Sequence, residues 1–376
     1  MNNLINAEVV ATNLDDYNEL TIPEALLPSD VGTIGDRAQM EGSSFEKLCE
    51  LAGRACYDSL GIGRSSESYW EHIKEVGHFS ILEHANFTIE VNGAPNNPLD
   101  TFHGIASLVS NWPSTWTRLF TENAESFMRT RLTVNLRHAM EAPRLINKTD
   151  NAQTWLAQVI QHFGHQLAPS LVPEVAHPQG MDIVRLVPPT DPHEVWVSMY
   201  CSGSRGWSHE LVRHGDWTAI SQRSTRYVDE SAGEWCLHPL LERLLAGNPL
   251  GQTKVTDCIQ DCREQYDTVV QKLSEILKAR GLGKTAARKQ ARGAARGLLG
   301  NALHTEMIFS ASVAQWHHIF RMRASDAADA EIREWACKAI RALQQEDTDT
   351  APYFADLELR PASDGIGECL VDAAHR

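Results

Sequence analysis

Gly77-His78-Phe79-Ser80-Ile81-Leu82-Glu83-His84, running almost directly into Asn86-Phe87-Thr88-Ile89-Glu90-Val91, decides how the rest of the chain is read. The second half alternates β-favouring apolar residues with polar ones, the pattern of a strand with one wet face. The first half packs two His, one Glu and one Ser into the junction ahead of that strand. Such a cluster can hydrogen-bond a polar cofactor, act as acid and base, or bind a metal. Zinc fits poorly, because His78 and His84 are six apart and no thiolate neighbours them. Local capping and pairing by Glu83 and His84 is the plainer alternative.

Upstream, Ser44 to Asp58 places Phe45, Leu48, Leu51, Ala52 and Ala55 at three- and four-residue steps, which predicts an amphipathic helix. A second helix is expected from Glu67 to Val76, ended by Gly77. Downstream of Asn92-Gly93, a stretch rich in Pro, Asn and Trp reaches about Pro192, with helical patches near Gly104–Trp112, Thr121–Ala142 and Ala152–Leu167. It carries too many Trp, Leu and Phe to stay solvated, so it reads as an insertion or subdomain. A second strand is expected from His193 to Tyr200 and a helix from about Arg205 to His214. Val255 to Ala279 reads as one long amphipathic helix. Helices are expected to dominate to about residue 345, with a peripheral acidic tail beyond Glu346. No internal repeat of fixed period is evident, apart from one local string taken up below.

The helix at 205–214 opens a second constellation, Arg205-Gly206-Trp207-Ser208-His209-Glu210-Leu211-Val212-Arg213-His214, which continues through Thr218 to Tyr227. Arg205, His209 and Arg213 are four apart and share a helix face. With Ser221, Gln222, Ser224, Arg226 and Tyr227 following, the set suits a phosphate or a polarised carbonyl, since Arg offers planar paired donors that stay charged. A solvated helix face is the alternative for any single Arg.

The bulk numbers set bounds. The 376 residues, 42% of them hydrophobic, suffice for one large or two ordinary domains. The formal charge of −15, from 49 acidic against 34 basic residues, disfavours a general nucleic-acid or anionic-membrane binder. It leaves room for a local basic pocket, and from Lys278 to Arg296 there are seven Lys or Arg and no acid. The eight cysteines include no Cys-x-x-Cys pair, so no zinc knuckle or redox motif is indicated. Cys258 and Cys262, four apart, fit one helix face. The start of the chain has no signal-like pattern and no run of about 18 apolar residues occurs. A cytoplasmic protein, with no membrane and no metal, is the expectation.

Together the strings GRACYDS…GHFSILEHANFTIEV and SRGWSHELVRH…SQRSTRYVDES resemble the two core motifs of flavin-dependent thymidylate synthases. A third block, Ala295-Arg296 through Arg323 followed by Ala330-Glu331-Ile332-Arg333, resembles that family's C-terminal helices. The resemblance covers roughly residues 44 to 93, 193 to 230 and 255 to 345. It implies an α/β (α+β) fold, a mixed sheet flanked by helices, with a mainly helical insertion. The corresponding division is 1–93 and 193–345 for the catalytic domain, 94–192 for the insertion and 346–376 for the acidic tail.

The resemblance also implies a homotetramer that binds FAD, dUMP and a folate, with NADPH and methylenetetrahydrofolate as co-substrates and dTMP as product. No cysteine nucleophile acts on the pyrimidine. Residue by residue, it puts Cys56, His78, Ser80 and Glu83 at the flavin, with Arg213, His214 and His318. It gives Gln222, Ser224, Arg226, Arg296 and Arg323 to dUMP, with Arg213, His214, Ser224 and Arg323 as the catalytic set. Two departures stand out: Gly215 follows His214 where the family has a further Arg, and Ser312-Val313-Ala314 replaces an Asn-x-Arg pair. Leu132-Thr133-Val134-Asn135-Leu136-Arg137 resembles the missing string, which makes Asn135 and Arg137 candidates for the absent flavin contacts. A pyrimidine nucleotide hydroxymethylase, or a non-catalytic flavin- or nucleotide-binding descendant, are the alternatives that these departures motivate.

Overall fold

The computed structural model describes residues 4–26, 40–60, 64–93, 118–124, 127–144, 151–215, 218–345 and 348–371. Helix α1 (Ser44–Tyr57) starts where the Ser43 hydroxyl accepts from the Glu46 amide and the Glu46 carboxylate accepts from Ser43, a reciprocal capping box. It ends where Asp58 turns left-handed. Helix α2 (Ser66–Val76) is capped by Ser65 and closed by Gly77 at φ 69, a conformation that costs glycine little. Both helices agree with the sequence reading to within a residue. A 3-10 turn, Phe79–His84, then feeds strand β2 (Asn86–Gly93).

Two four-stranded sheets organise the molecule. One has the order β1-β6-β8-β7, from Asn6–Thr12, Trp196–Ser204, His304–Ser312 and Thr218–Gln222. The other has the order β3-β4-β2-β5, with β3 Arg118–Ala124, β4 Phe127–Asn135 and β5 Val184–Val187. The α/β (α+β) class holds, and the mixture lies in the class: every ladder among the described residues is antiparallel.

The first sheet is covered on both faces. Tyr200 and Ile308 join a core with α1 and the second sheet. Met199, Cys201, Met307 and Phe309 join another, formed with α5 (Arg205–Leu211), α9 (Val313–Arg323) and α10 (Ala330–Leu343). The second sheet is backed by the short α3 (Leu136–Glu141) and by α4 (Asn151–Leu167). The hydroxyl-rich loop after β7 leads through α6 (Pro239–Leu245), α7 (Pro249–Ala279) and α8 (Lys284–Ala295) to β8.

Several expectations are corrected. The stretch 121–142 is helical only at its end, because Arg131-Leu132-Thr133-Val134 alternates with period two and sends Leu132 and Val134 into the core. Helices do dominate the stretch before residue 345, but it also contains β8, whose run of buried residues hides the strand period because both faces are covered. The boundary at residue 93 cuts through a sheet, since β2 pairs with β4 and β5 from the supposed insertion. Nor is the tail peripheral: Phe354 and Leu357 enter the core beside α10, and β9 (Leu359–Pro361) pairs with β10 (Glu368–Leu370). The patch expected at 104–112 lies outside the described residues. No described helix is long and apolar enough to cross a membrane.

Candidate active site

The C-terminal end of α1 meets the loop after β7. The Ser224 amide donates to the Cys56 carbonyl at 2.9 Å, which fixes the loop against the helix. One residue past Cys56 and three past Ser224, Tyr57 and Tyr227 meet edge to face at 4.8 Å. The Tyr57 hydroxyl lies 2.6 Å from His78 Nδ1. Partial burial holds the Tyr57 phenol well above its usual range, so it stays protonated and shares a hydrogen bond with the imidazole. On the far side of Tyr227, Lys289 Nζ stands 4.5 Å from the ring centroid, within cation–π range.

These side chains border a cavity of about 640 Å³, closed further by Arg54, Arg64 and Tyr69. No Asp or Glu is among its lining residues. In a chain of net charge −15, that leaves a cavity with three cations and several ring faces. Arg54 is partly countered by Glu50 at 2.7 Å, whereas Lys289 meets a ring. Aromatic faces for a flat heterocycle and cations for an anionic tail suit a flavin or a pyrimidine nucleotide.

Beside this cavity Arg223 lies among carboxylates: Asp58 at 3.2 Å, Glu230 at 3.3 Å and Glu306 at 4.0 Å. Burial pushes the Glu306 carboxyl up to about 7, against the pull of Arg223. Gln222 donates to Ser208 Oγ at 2.8 Å and is only partly exposed. Arg226 is exposed, with its guanidinium 6.0 Å from the Tyr227 ring. Arg296, also exposed, begins the turn after α8 and helps hold the Arg205 pKa down, second to burial and opposed by Glu230.

A different arrangement occupies the other end of β7. Arg323 Nε donates to His214 Nε2 at 2.9 Å and its Nη1 to Glu210 at 2.7 Å. Burial, aided by Arg323 and His318, brings the His214 pKa down to about 4, so the ring is neutral at pH 7 and its Nε2 accepts. His318 is exposed with its ring 5.8 Å from His214, and Arg213 is exposed on the same turn. Gly215 has an ordinary helical φ of −64, so its backbone does not demand glycine and the position simply lacks a cation.

The anticipated catalytic set thus divides within the chain. Ser224 lies at one end of β7, and Arg213, His214 and Arg323 lie at the other, because an extended strand separates parts of a motif that are close in sequence.

Glu83, His84, Asn135 and Arg137 have structural partners. Glu83 is buried against Arg137, which also reaches Glu141 at 3.0 Å. Asn135 is fully buried and caps α3, accepting from the His138 amide, so it offers no surface to a ligand. His84 does not pair locally: its two ring nitrogens reach Ser310 at 2.7 Å on β8 and Ser221 at 2.9 Å on β7. Burial holds its pKa near 3, leaving a neutral ring that donates on one side and accepts on the other. Cys56 is partly buried, and burial pushes its thiol up to about 11. Ser80 is exposed on its turn. Among the described residues no group of three or more His, Cys, Asp or Glu is placed to hold a metal ion.

Of the expected site residues, the fold brings Cys56, His78, Ser224 and Arg226 together. It adds Tyr57, Arg54, Arg64 and Lys289, which the motif reading passed over. The acid-free basic run 278–296 was the signal for Lys289, while Tyr57 sat one residue past Cys56.

Residues 193–347 match the family described as thymidylate synthase complementing protein. A flavin-dependent thymidylate synthase of Mycobacterium leprae (strain Br4923) is 38% identical over 174 residues, which is 45% of this chain and 65% of that protein. One of Mycolicibacterium gilvum (strain PYR-GCK) is 36% identical over 171 residues, covering 45% and 64%. The matched part thus spans a little under two thirds of those relatives. Thymidylate synthase X of Helicobacter pylori, solved with FAD and dUMP, is 18% identical and covers 44% of this chain and 73% of its own, at a TM-score of 0.29, too slight a likeness to carry an argument.

Proposed function

We propose that this chain, which belongs to the flavin-dependent thymidylate synthase family through its residues 193–347, converts dUMP to dTMP at the cavity between α1, α2 and the loop after β7. FAD is the cofactor in this reading, NADPH and methylenetetrahydrofolate are co-substrates, and the working protein is a homo-oligomer. The observation that carries the proposal is the charge of the cavity: three cations and no carboxylate, in an acidic chain. Such a site attracts phosphates and excludes competing cations.

The rings of Tyr57 and Tyr227 offer faces to a flat heterocycle, and the His78 imidazole, oriented by the Tyr57 hydroxyl, offers its other nitrogen for hydrogen bonding. Lys289 and the exposed Arg226 are placed to neutralise phosphate charge. Ser224, tied to the Cys56 carbonyl through its amide, keeps its hydroxyl beside these groups. When bound, reduced flavin would supply the hydride that completes the methyl group. The Cys56 thiol, pushed up to about 11, is no nucleophile at pH 7.

The test is a product assay on purified chain given dUMP, methylenetetrahydrofolate and NADPH, with the nucleotides read by mass spectrometry. The expected result is dTMP, dependent on all three additions, from protein that absorbs near ~450 nm as oxidised flavin does. Recovery of unchanged dUMP from flavin-loaded protein rejects the proposal, and a hydroxymethylated product replaces its outcome.

A further inference from the structure

Strands β1 to β4 and β5 to β8 are two runs of one pattern. Exchanging each strand for the one four places away in the chain converts the sheet order β5-β2-β4-β3 into β1-β6-β8-β7. The agreement reaches single residues. The β2/β4 ladder begins with Asn86 opposite Asn135, and the β6/β8 ladder with Trp196 opposite Ser312. Asn135 and Ser312 then each cap the following helix through a side chain that accepts from the amide three residues on, His138 and Gln315. The first amide of each helix returns to the residue before the first strand, Leu136 to Ala85 at 3.0 Å and Val313 to Val195 at 2.8 Å. Two residues inside each ladder a hydroxyl pair crosses the strands, Thr88 with Thr133 at 3.0 Å and Ser198 with Ser310 at 2.6 Å.

The first strand of each run is exchanged. β1 opens the first run but pairs with β6 of the second, whereas β5 opens the second and pairs with β2 of the first. Equivalent positions meet there as well, Ala11 opposite Ser198 and Val187 opposite Thr88. Contacts across the two runs are reciprocal. His84, two residues before β2, bonds Ser310 on β8, and its counterpart Glu194, two residues before β6, bonds Arg131 on β4 at 2.7 Å. Reciprocal contacts of this kind belong to a two-fold pairing, and exchange of one element between partners is a common route to it.

We infer that the chain is a fused, strand-exchanged pseudo-dimer that has kept one of two equivalent ligand sites. The kept site needs two elements: the segment between β1 and β2, which carries Tyr57 and His78, and the segment between β7 and β8, which carries Tyr227 and Lys289. Each is absent from the other run. Between β5 and β6 there is only 188–195, too little chain for α1 and α2, and between β3 and β4 only 125–126, too little for α6 to α8. The supposed insertion is therefore the remainder of the first run, and Asn135-Leu136-Arg137 is the counterpart of Ser312-Val313-Ala314. One ligand set per chain follows.

The site count rests on the function proposed above, while the exchange does not, so the experiment has two arms on the full chain. In the first, a protease recognition sequence is placed between the exposed Ala176 and His177 and cleaved. The fragments are expected to remain a 1:1 complex on gel filtration at micromolar concentration, since each holds a strand of the other's sheet; separation into folded, independent pieces overturns the exchange. In the second, FAD and dUMP are titrated separately by equilibrium dialysis. One of each per chain is the expected result, and two equal sites overturn the inference while leaving the enzymatic reading intact. No uptake of either sinks that reading and the site count with it, and the cleaved chain still judges the exchange.

Discussion

At one end of β7 Arg223 is ringed by Asp58, Glu230 and Glu306, while Lys289 and Arg226 beside it turn toward the Tyr227 ring. At the other end Arg323 divides its donors between a carboxylate, Glu210, and a neutral imidazole, His214. Both ends are rich in Arg and His, and both looked like anion sites in the sequence. What separates them is where the carboxylates fall. A cation already paired with a carboxylate has little left for a phosphate, whereas one lying over a ring keeps most of its charge for a ligand. The ends also differ in their response to protons: the first contains a carboxyl lifted to about 7, the second an imidazole lowered to about 4.

His84, whose ring joins β7 to β8 through Ser221 and Ser310, gives the largest expected effect. His84→Ala removes a fully buried ring and strands the Ser221 hydroxyl, and should cost about 2–4 kcal/mol in urea unfolding. A loss within experimental error would mean that the two ends are not held in register by this residue. Next, Arg226→Ala with Lys289→Ala should weaken dUMP binding about 10- to 100-fold, or roughly 1.4–2.8 kcal/mol, with melting unchanged. Arg323→Ala should leave that affinity alone. An equal loss from Arg323→Ala would erase the distinction and join both ends in one site.

The pH dependence of stability sharpens the contrast. Glu306 has its carboxyl raised in the folded state, so its contribution is fully present below the unfolded value of 4.5 and is lost as pH rises through about 7. His214 is depressed, so its contribution is present above 6.5 and is lost as pH falls through about 4. Between those limits the two oppose each other. Glu306→Gln should therefore make the protein respond to rising pH by gaining relative to wild type, by up to about 1.4 kcal/mol per pH unit. His214→Gln should produce the opposite change. Parallel curves for Glu306→Gln and wild type would show that the Glu306 carboxyl titrates normally. Smallest of all, Cys56→Ser should leave the rate of dTMP formation near wild type, and a loss beyond about tenfold would give the thiol a chemical role.

Local pattern made much of this legible. The three-and-four spacing of Phe45, Leu48, Leu51 and Ala55 and the stop at Gly77 marked α1 and α2 to within a residue. The alternation Asn86 to Val91 marked β2. Short-range signals suffice where one face is wet, because polar residues then report the period. They fail at β8 and along 121–142. Burial on both faces removed the polar markers of β8, and Thr133 and Arg131 found polar partners within the protein. The repeat was missed for a related reason: its two copies agree in register, caps and strand order, yet few of the residues at those positions are the same type.

The sequence by itself determined the chemistry on offer: the two motif blocks, the acid-free basic run and the absence of a Cys-x-x-Cys pair are composition and spacing, which no packing alters. Which cations are available, which imidazoles are neutral, and which segments share a sheet were decided by tertiary structure. Burial and the position of the nearest carboxylate set a charge's availability, and those are fixed by residues far apart in the chain. Asp58, Glu230 and Glu306 reach Arg223 across 165, 7 and 83 positions. His84 meets Ser221 and Ser310 across 137 and 226 positions, so pattern reading could name these residues without learning what each one faces.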